Sequence, residues 1–219
     1  MQLICLSKIG GIGGSIKNSP DDFIVEEICE DGTVLELNKK IEKNGEGRFV
    51  HFVLQKCGWS TPDAIKAIAK KLRISFKRFN AAGMKDKNAT TTQLVSVFAL
   101  TPQQIMNIKI KGIQINGAWS AKEKVKLGAL LGNRFTVKVK DPTENASEIV
   151  EKIYSELDGK IPNYFGEQRF GTSRCNTHLV GEKIIKGNFE EAALIYLTDS
   201  GSEENAEIRA ARAELKQTR

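Results

Sequence analysis

Apolar and polar residues alternate in short runs through the first two thirds of the chain. In the last third apolar positions recur every three to four residues, so strands are expected early and helices late. Phe23 to Ile28, Thr33 to Leu37 and Phe49 to Leu54 read as strands, the first following a Pro20-Asp21-Asp22 turn signal. The period then changes. Thr61 as N-cap and Pro62 as first helical residue open a helix in which Ile65, Ile68, Ala69 and Leu72 share a face, with Lys66, Lys70, Lys71 and Arg73 largely away from it. Ala81, Ala82 and Gly83 lead into a polar cluster, Lys85 to Thr92, and on into a buried strand over Gln93 to Leu100, which makes the cluster a candidate functional loop. Further strands are predicted at Gly112 to Ile115 and Arg134 to Lys140. Helices follow, one marked by Ile149, Ile153 and Leu157, then Leu179 to Lys186, Phe189 to Leu197 and Glu203 to Lys216. This order implies an α+β domain leading into a helical one.

With 219 residues, 40% of them hydrophobic, the chain can bury a core, which argues against disorder and fibrous repeats. No run reaches the roughly 18 apolar residues of a membrane span. The apolar stretch from Met1 to Leu6 is shorter than a signal-peptide core. A soluble, cytoplasmic protein is expected. Cys5, Cys29, Cys57 and Cys175 are widely spaced and read as isolated thiols, and with only His51 and His178 a multi-histidine metal site is disfavoured. Gly10, Gly11, Gly13 and Gly14 fit no phosphate-binding signature and read as a flexible leading segment.

Charge changes the picture once it is located. Residues 1 to 47 carry 5 basic and 9 acidic side chains, net −4, and residues 141 to 219 carry 10 and 15, net −5. Between Arg48 and Lys140, 18 Lys and Arg face only Asp63, Asp86 and Glu123, net +15, which points to a polyanionic partner. Aromatic and basic residues interleave in Phe76-Lys77-Arg78-Phe79 and in Asn133-Arg134-Phe135, a mix suited to phosphate contact and base stacking, although such phenylalanines also serve as core. Asp86 is the only carboxylate among eight basic residues from Lys66 to Lys87. Adjacent cations favour the ionised form that a nucleophile or base needs, while the same pattern suits an ordinary turn or salt bridge.

Four blocks narrow the choice. Gly83-Met84-Lys85-Asp86-Lys87-Asn88-Ala89-Thr90-Thr91-Thr92-Gln93 resembles the G-x-K-D-x-x-A-x-T-x-Q motif of the TruD family of tRNA pseudouridine synthases. The segment from Lys17 through Pro20, Asp22, Phe23 and Val25 to Glu27 resembles its K-x-x-P-x-D-F-x-V-x-E block, and Gly132-Asn133-Arg134-Phe135 its G-N-x-F block. Pro162 to Gly171 is similar to its N-Y-F-G-x-Q-R-F-G signature, expected at an active-site rim or domain junction. The blocks stand in family order and span nearly the whole chain, with a Gly-rich start and basic helix of archaeal type.

The resemblance implies a tRNA pseudouridine synthase acting on uridine 13 of the D arm, with Asp86 as catalytic aspartate, Lys17 as its ionic partner, Phe135 stacking on the flipped uracil, Asn133 positioning the site or the RNA, and Phe23 walling the pocket. Arg134, Lys85 and Lys87 are expected substrate contacts. No metal, nucleotide or other cofactor is implied, the partner is tRNA, and a monomer is expected at full length. The fold implied is a mixed, largely antiparallel sheet with flanking helices. Residues 1–158 would be the first part of the catalytic domain, and 159–219 the start of a helical family-specific insertion that this chain cuts short. The alternatives are a non-catalytic RNA-binding module or an inactive fragment of the enzyme, and a hydrolase that uses Asp86 as nucleophile.

Overall fold

The computed structural model describes residues 5–163, 166, 170, 171, 174–199, 201 and 204–218. They divide into two compact units, one of Ile9–Lys152 and one from Ile153 onward that includes the segment ending at Lys8.

The first unit is built on a six-stranded sheet: β1 (Phe23–Ile28), β2 (Phe49–Cys57), β3 (Phe79–Ala81), β4 (Thr90–Phe98), β5 (Ile113–Ala121) and β6 (Gly132–Val137). Their order is β5-β2-β4-β1-β6, with β3 also pairing β4. Every pairing is antiparallel except β1 with β4. The sheet is therefore mixed and largely antiparallel, with helices α1 (Thr61–Leu72) and α2 (Pro102–Met106) in the same unit, while α3 (Ala146–Glu156) runs through the point in the chain, after Lys152, where the units divide.

Register fixes what each face carries, because residues directly opposite across a ladder share a face. Val50, Phe52, Leu54 and Lys56 of β2 lie opposite Val97, Val95, Gln93 and Thr91 of β4. Val25 of β1 lies opposite both Thr91 of β4 and Phe135 of β6. One face thus runs from an aliphatic half to a polar half. The aliphatic half packs with Ala64, Ile68 and Ala69 of α1, with Phe79, and with Ile105, Ile108 and Ile113. Burying Phe52, which is fully enclosed, is worth roughly 1.5–3 kcal/mol. The polar half holds Lys56, Glu27, Asn133 and Phe135.

Two sequence expectations shift here. Thr33 to Leu37 makes only a single bridge, Ile28 to Val34, instead of a strand. It covers the opposite sheet face: Leu35 is buried, its carbonyl takes the Thr92 hydroxyl, and the Glu26 carboxylate accepts the Leu37 amide at 2.9 Å. The N-cap of α1 is Ser60, whose Oγ accepts the Asp63 amide, not Thr61. Thr61 is the first helical residue, and its hydroxyl is committed to the loop described below.

The leading glycines are not merely a flexible lead-in. Ser15 and Lys140 exchange backbone hydrogen bonds of 2.8 Å in both directions. Gly14, at φ +83°, lies so close that a Cβ would sit 2.6 Å from the Lys140 carbonyl oxygen. Only glycine fits that approach. In β5, Gly117 occupies a bulge where one residue of β2, Val53, faces two, Asn116 and Gly117.

In the second unit, α4 (Thr177–Ile185), α5 (Phe189–Thr198) and α6 (Ala206–Gln217) follow the predicted periodicity. Arg174 and Arg212 donate to carbonyls in the last turn of α5, Arg174 to Tyr196 at 2.6 Å and Arg212 to Leu197 at 2.6 Å. Glu204 ion-pairs with both guanidinium groups, so opposite charge meets the negative end of the helix and is itself balanced. No helix among the described residues is long and apolar enough to cross a membrane.

Candidate active site

The loop between β3 and β4 carries Asp86, and its backbone is held from several sides. The Thr61 hydroxyl accepts the Lys85 amide at 2.9 Å and donates to Gln93 Oε1 at 2.8 Å, while Gln93 Nε2 donates to the Gly83 carbonyl at 3.1 Å. Lys56 Nζ, reaching from β2, donates to the carbonyls of Trp59 (2.7 Å), Asp86 (2.8 Å) and Lys85 (3.3 Å). The loop is thus polar in composition and rigid in structure.

Lys17, distant in sequence, brings its Nζ 3.1 Å from Asp86 Oδ2. Its backbone is left-handed, φ +60°, which for a non-glycine residue costs roughly 1–2 kcal/mol. The turn that follows is anchored. Asp22, buried, accepts the Ser19 amide and hydroxyl at 2.8 and 2.9 Å and pairs with Lys140 Nζ at 2.9 Å. The Lys140 hydrogen bond leads in holding its carboxyl below the usual carboxylate range, with burial opposing and the Ser19 contacts assisting.

Phe23 and Phe135 meet edge to face at 6.0 Å between centroids, and Lys17 Nζ lies 3.9 Å over the Phe23 ring. Phe135 is 58% exposed, an open aromatic face. Asn133, two residues before it on the same side of β6, has a buried Oδ1 without a hydrogen-bond partner. Such an acceptor is costly unless a ligand or solvent supplies a donor.

Two of the expected substrate contacts are placed otherwise. Lys85 points inward: it is buried, with Nζ 2.6 Å from Glu27 Oε2, so its charge is neutralised inside the fold. Arg134 is half-exposed, but its Nε donates to Glu26 Oε2 at 2.8 Å, and Nη2 lies 3.7 Å from Glu36. Burial pushes the Glu26 carboxyl up, yet Arg134 and the Leu37 amide outweigh it, and the net effect is downward. Lys87 is exposed beside Asp86. Arg78, from the basic-aromatic run, donates to the carbonyls of Phe98 and Ala99 at the end of β4, and Phe79 is core.

Lys17, Asp86, Phe23 and Phe135 therefore converge, with Asn133 on the same stretch of β6. Sequence reasoning gave no site role to Lys56, Thr61, Glu27 or Gln93, the last two known only as the closing residues of two motif blocks; all four brace this arrangement. A signal for Lys56 existed: it continues the Val50, Phe52, Leu54 alternation onto the buried face. Among the described residues, no group of three or more His, Cys, Asp or Glu side chains is placed to hold a metal ion.

The family model for tRNA pseudouridine synthase D (TruD) matches residues 2–219. The chain belongs to that family. It is 40% identical over 214 residues to a protein of Methanococcus vannielii named as a probable tRNA pseudouridine synthase D, covering 91% of this chain and 53% of that protein. A similarly named protein of Methanocaldococcus jannaschii is 43% identical over 189 residues, covering 84% and 48%. A crystal structure from Methanosarcina mazei, described as a tRNA pseudouridine synthase D, superposes with a TM-score of 0.74 at 35% identity, covering 97% of this chain and 47% of its own. The chain spans about half the length of these TruD relatives.

The TruD-like blocks acquire physical content in this fold. In the first, Lys17 meets Asp86, Pro20 opens the turn, Asp22 caps it, Phe23 meets Phe135, Val25 enters the core and Glu27 receives Lys85. In the second, Ala89, Thr91 and Gln93 are fully buried behind the aspartate. Of the Pro162 to Gly171 block, Tyr164, Phe165, Glu167, Gln168 and Arg169 lie outside the described residues.

Proposed function

We propose that the protein carrying this chain is a tRNA pseudouridine synthase that isomerises uridine 13 in the D arm, with Asp86 as the reacting carboxylate. The observation that carries this reading is a chain of contacts joining three separate segments: Asp86 pairs with Lys17, Lys17 lies over the Phe23 ring, and Phe23 meets Phe135. The chain's membership of the TruD family supplies the reaction class.

In the reaction the N1 to C1′ bond breaks, the uracil turns, and C5 bonds to C1′. N1 gains a proton and C5 loses its own, so mass is unchanged. Asp86 acts at the sugar, as nucleophile on C1′ or as base toward the C2′ proton. Lys17 orients the carboxylate through the 3.1 Å contact. The open face of Phe135 takes the uracil, with Phe23 bracing the ring from its edge, and the partnerless Asn133 Oδ1 accepts a donor from the RNA. Extruding the uridine from the folded tRNA costs a few kcal/mol. Phosphate contacts from exposed cations, Lys87 and the Lys66, Lys70 and Lys71 face of α1 among them, offset that cost. In this reading residues 1–158 form the first part of the catalytic domain and 159–219 begin the insertion, and the whole protein works as a cytoplasmic monomer.

The deciding assay uses tRNA tritiated at uracil C5. Label should pass to water at the rate of isomerisation, and Asp86→Ala should abolish it with tRNA still bound. Binding without release from the folded full-length protein would make it an RNA-binding module instead. Cleaved products would make it a hydrolase.

A further inference from the structure

Lys56 is fully buried, lies on β2, an interior strand flanked by β5 and β4, and takes no part in the chemistry described above. Its ammonium donates to three carbonyls, and two of them, those of Lys85 and Asp86, are consecutive peptide groups of the catalytic loop, one on each side of the Asp86 Cα. The third, at Trp59, ties the same nitrogen to the segment leading into α1. Three donors thus meet three acceptors, with every hydrogen used. We propose that Lys56 is a positioning residue for uridine isomerisation, fixing through its ammonium the backbone from which Asp86 reaches the ribose. This rests on the reading of Asp86 as the reacting group.

A buried cation with no carboxylate bonded to it is uncommon, and the cost of burying it suggests a function for its proton. Burial pushes the Lys56 amine down to about 8, against the pull of the Asp86 charge and with a further push from Lys85; Cys57 on its own strand opposes weakly. Those are the titratable groups that face it. Lys85 is in turn balanced by Glu27, and Asp86 by Lys17. The neutral amine has two hydrogens and a lone pair for the same three carbonyls. On deprotonation one carbonyl therefore loses its donor and faces the lone pair, and the loop loosens. Activity should fall above pH 8 for a reason that lies beneath the active site.

The test is tritium release by the full-length protein from pH 6 to pH 10, comparing wild type, Lys56→Met, Lys56→Arg and Asp86→Ala. Lys56→Met should lower kcat about 100-fold, the scale of a 1 Å misplacement, with KM changed by less than about 3-fold. The wild-type decline near pH 8 should vanish in it. Lys56→Arg, whose cation does not titrate in this range, should recover kcat to within about 10-fold of wild type and hold it flat to pH 10. If neither variant folds, 13C-labelled lysines in the wild type decide: one should titrate at the midpoint of the kcat decline. Wild-type kcat in Lys56→Met, persistence of the decline in that variant, or no lysine titrating below pH 9 would overturn the assignment of Lys56. Release that survives Asp86→Ala would instead overturn the parent reading.

Discussion

The ammonium of Lys17 serves two neighbours at once, lying 3.1 Å from Asp86 Oδ2 and 3.9 Å from the centre of the Phe23 ring. Both charged side chains are about one third exposed, 33% and 39%, so solvent screens the pair and its share of fold stability is below about 1 kcal/mol. In the proposed reaction its effect would be to orient the carboxylate. Lys17→Met should leave the melting temperature within a few degrees and tRNA affinity nearly unchanged while kcat falls about 10- to 100-fold. Single-turnover tritium release alongside filter binding measures both. An equal loss of binding and turnover would make Lys17 a phosphate contact.

Phe135 offers the complementary separation of stability from activity. Because more than half of its surface is exposed, Phe135→Ala leaves no core cavity and should barely shift unfolding. Phe52→Ala, in the enclosed half of the same sheet face, should cost about 3–5 kcal/mol. In turnover the order reverses. Loss of a stacking ring should cost about 1–3 kcal/mol, a kcat/KM reduction of about 5- to 150-fold, readable by steady-state kinetics.

Acid should unfold the protein through the pairs that brace the Lys17 turn and β6. Lys140 lowers the Asp22 carboxyl, and Glu26 is lowered by Arg134 despite burial. Since these folded-state values lie below the unfolded ones, the unfolded chain binds more protons in that window. The stabilisation is complete above the ordinary carboxylate range and disappears as pH falls through the depressed values. Lys140→Met and Arg134→Met should each move the acid transition, followed by circular dichroism, to higher pH. An unmoved transition would mean that other carboxylates govern it.

Cysteine reactivity should separate by burial. The Cys29 thiol is raised to about 11, first by burial and then by the nearby Asp31 and Glu27 charges, whereas Cys5, Cys57 and Cys175 are exposed. Two pH units above the reference thiol leave about 100-fold less thiolate, so iodoacetamide at pH 8 should modify three cysteines and spare Cys29 until denaturant is added. Peptide mass mapping tests this. Rapid alkylation of Cys29 in the native state would contradict the burial.

Where side-chain alternation is strong, the sequence was a good guide. Phe23–Ile28 is a strand over the expected residues, and the helix from Thr61 is present with its basic residues exposed. The three-residue β3 and five-residue α2 were not foreseen, because neither is long enough to display a period. Thr33 to Leu37 has strand composition, but only the Leu35 amide and the Thr33 carbonyl bond to the backbone of Glu27 and Cys29, while side chains of Asp31, Glu26 and Thr92 take the Thr33 and Leu37 amides and the Leu35 carbonyl. The motif resemblance brought Lys17, Asp86, Phe23, Asn133 and Phe135 to notice; the fold links Asp86, Lys17, Phe23 and Phe135 by contact and puts Asn133 two residues before Phe135 on β6. Composition misled about Lys85, since a lysine in a lysine-rich loop reads as solvated, and only the tertiary position of Glu27 reveals its buried partner. The +15 segment is for the same reason an overstatement of the charge left for a polyanionic partner, because the charges of Lys56 and Lys85 are used inside the fold.

Glu27 has a consequence of its own. One side of β4 is shared end to end, with β1 pairing Thr90 to Thr92 and β3 pairing Val95 to Val97. At the break between them, Glu27 Oε1 accepts the Leu94 amide at 2.9 Å, while Oε2 takes Lys85. A single carboxylate therefore welds a seam in the sheet and tethers the residue next to Asp86. Glu27→Gln keeps an acceptor for Leu94 and releases Lys85, so it would leave the seam closed and the tether cut. The aspartate is held by the same joint that lets two short strands behave as one.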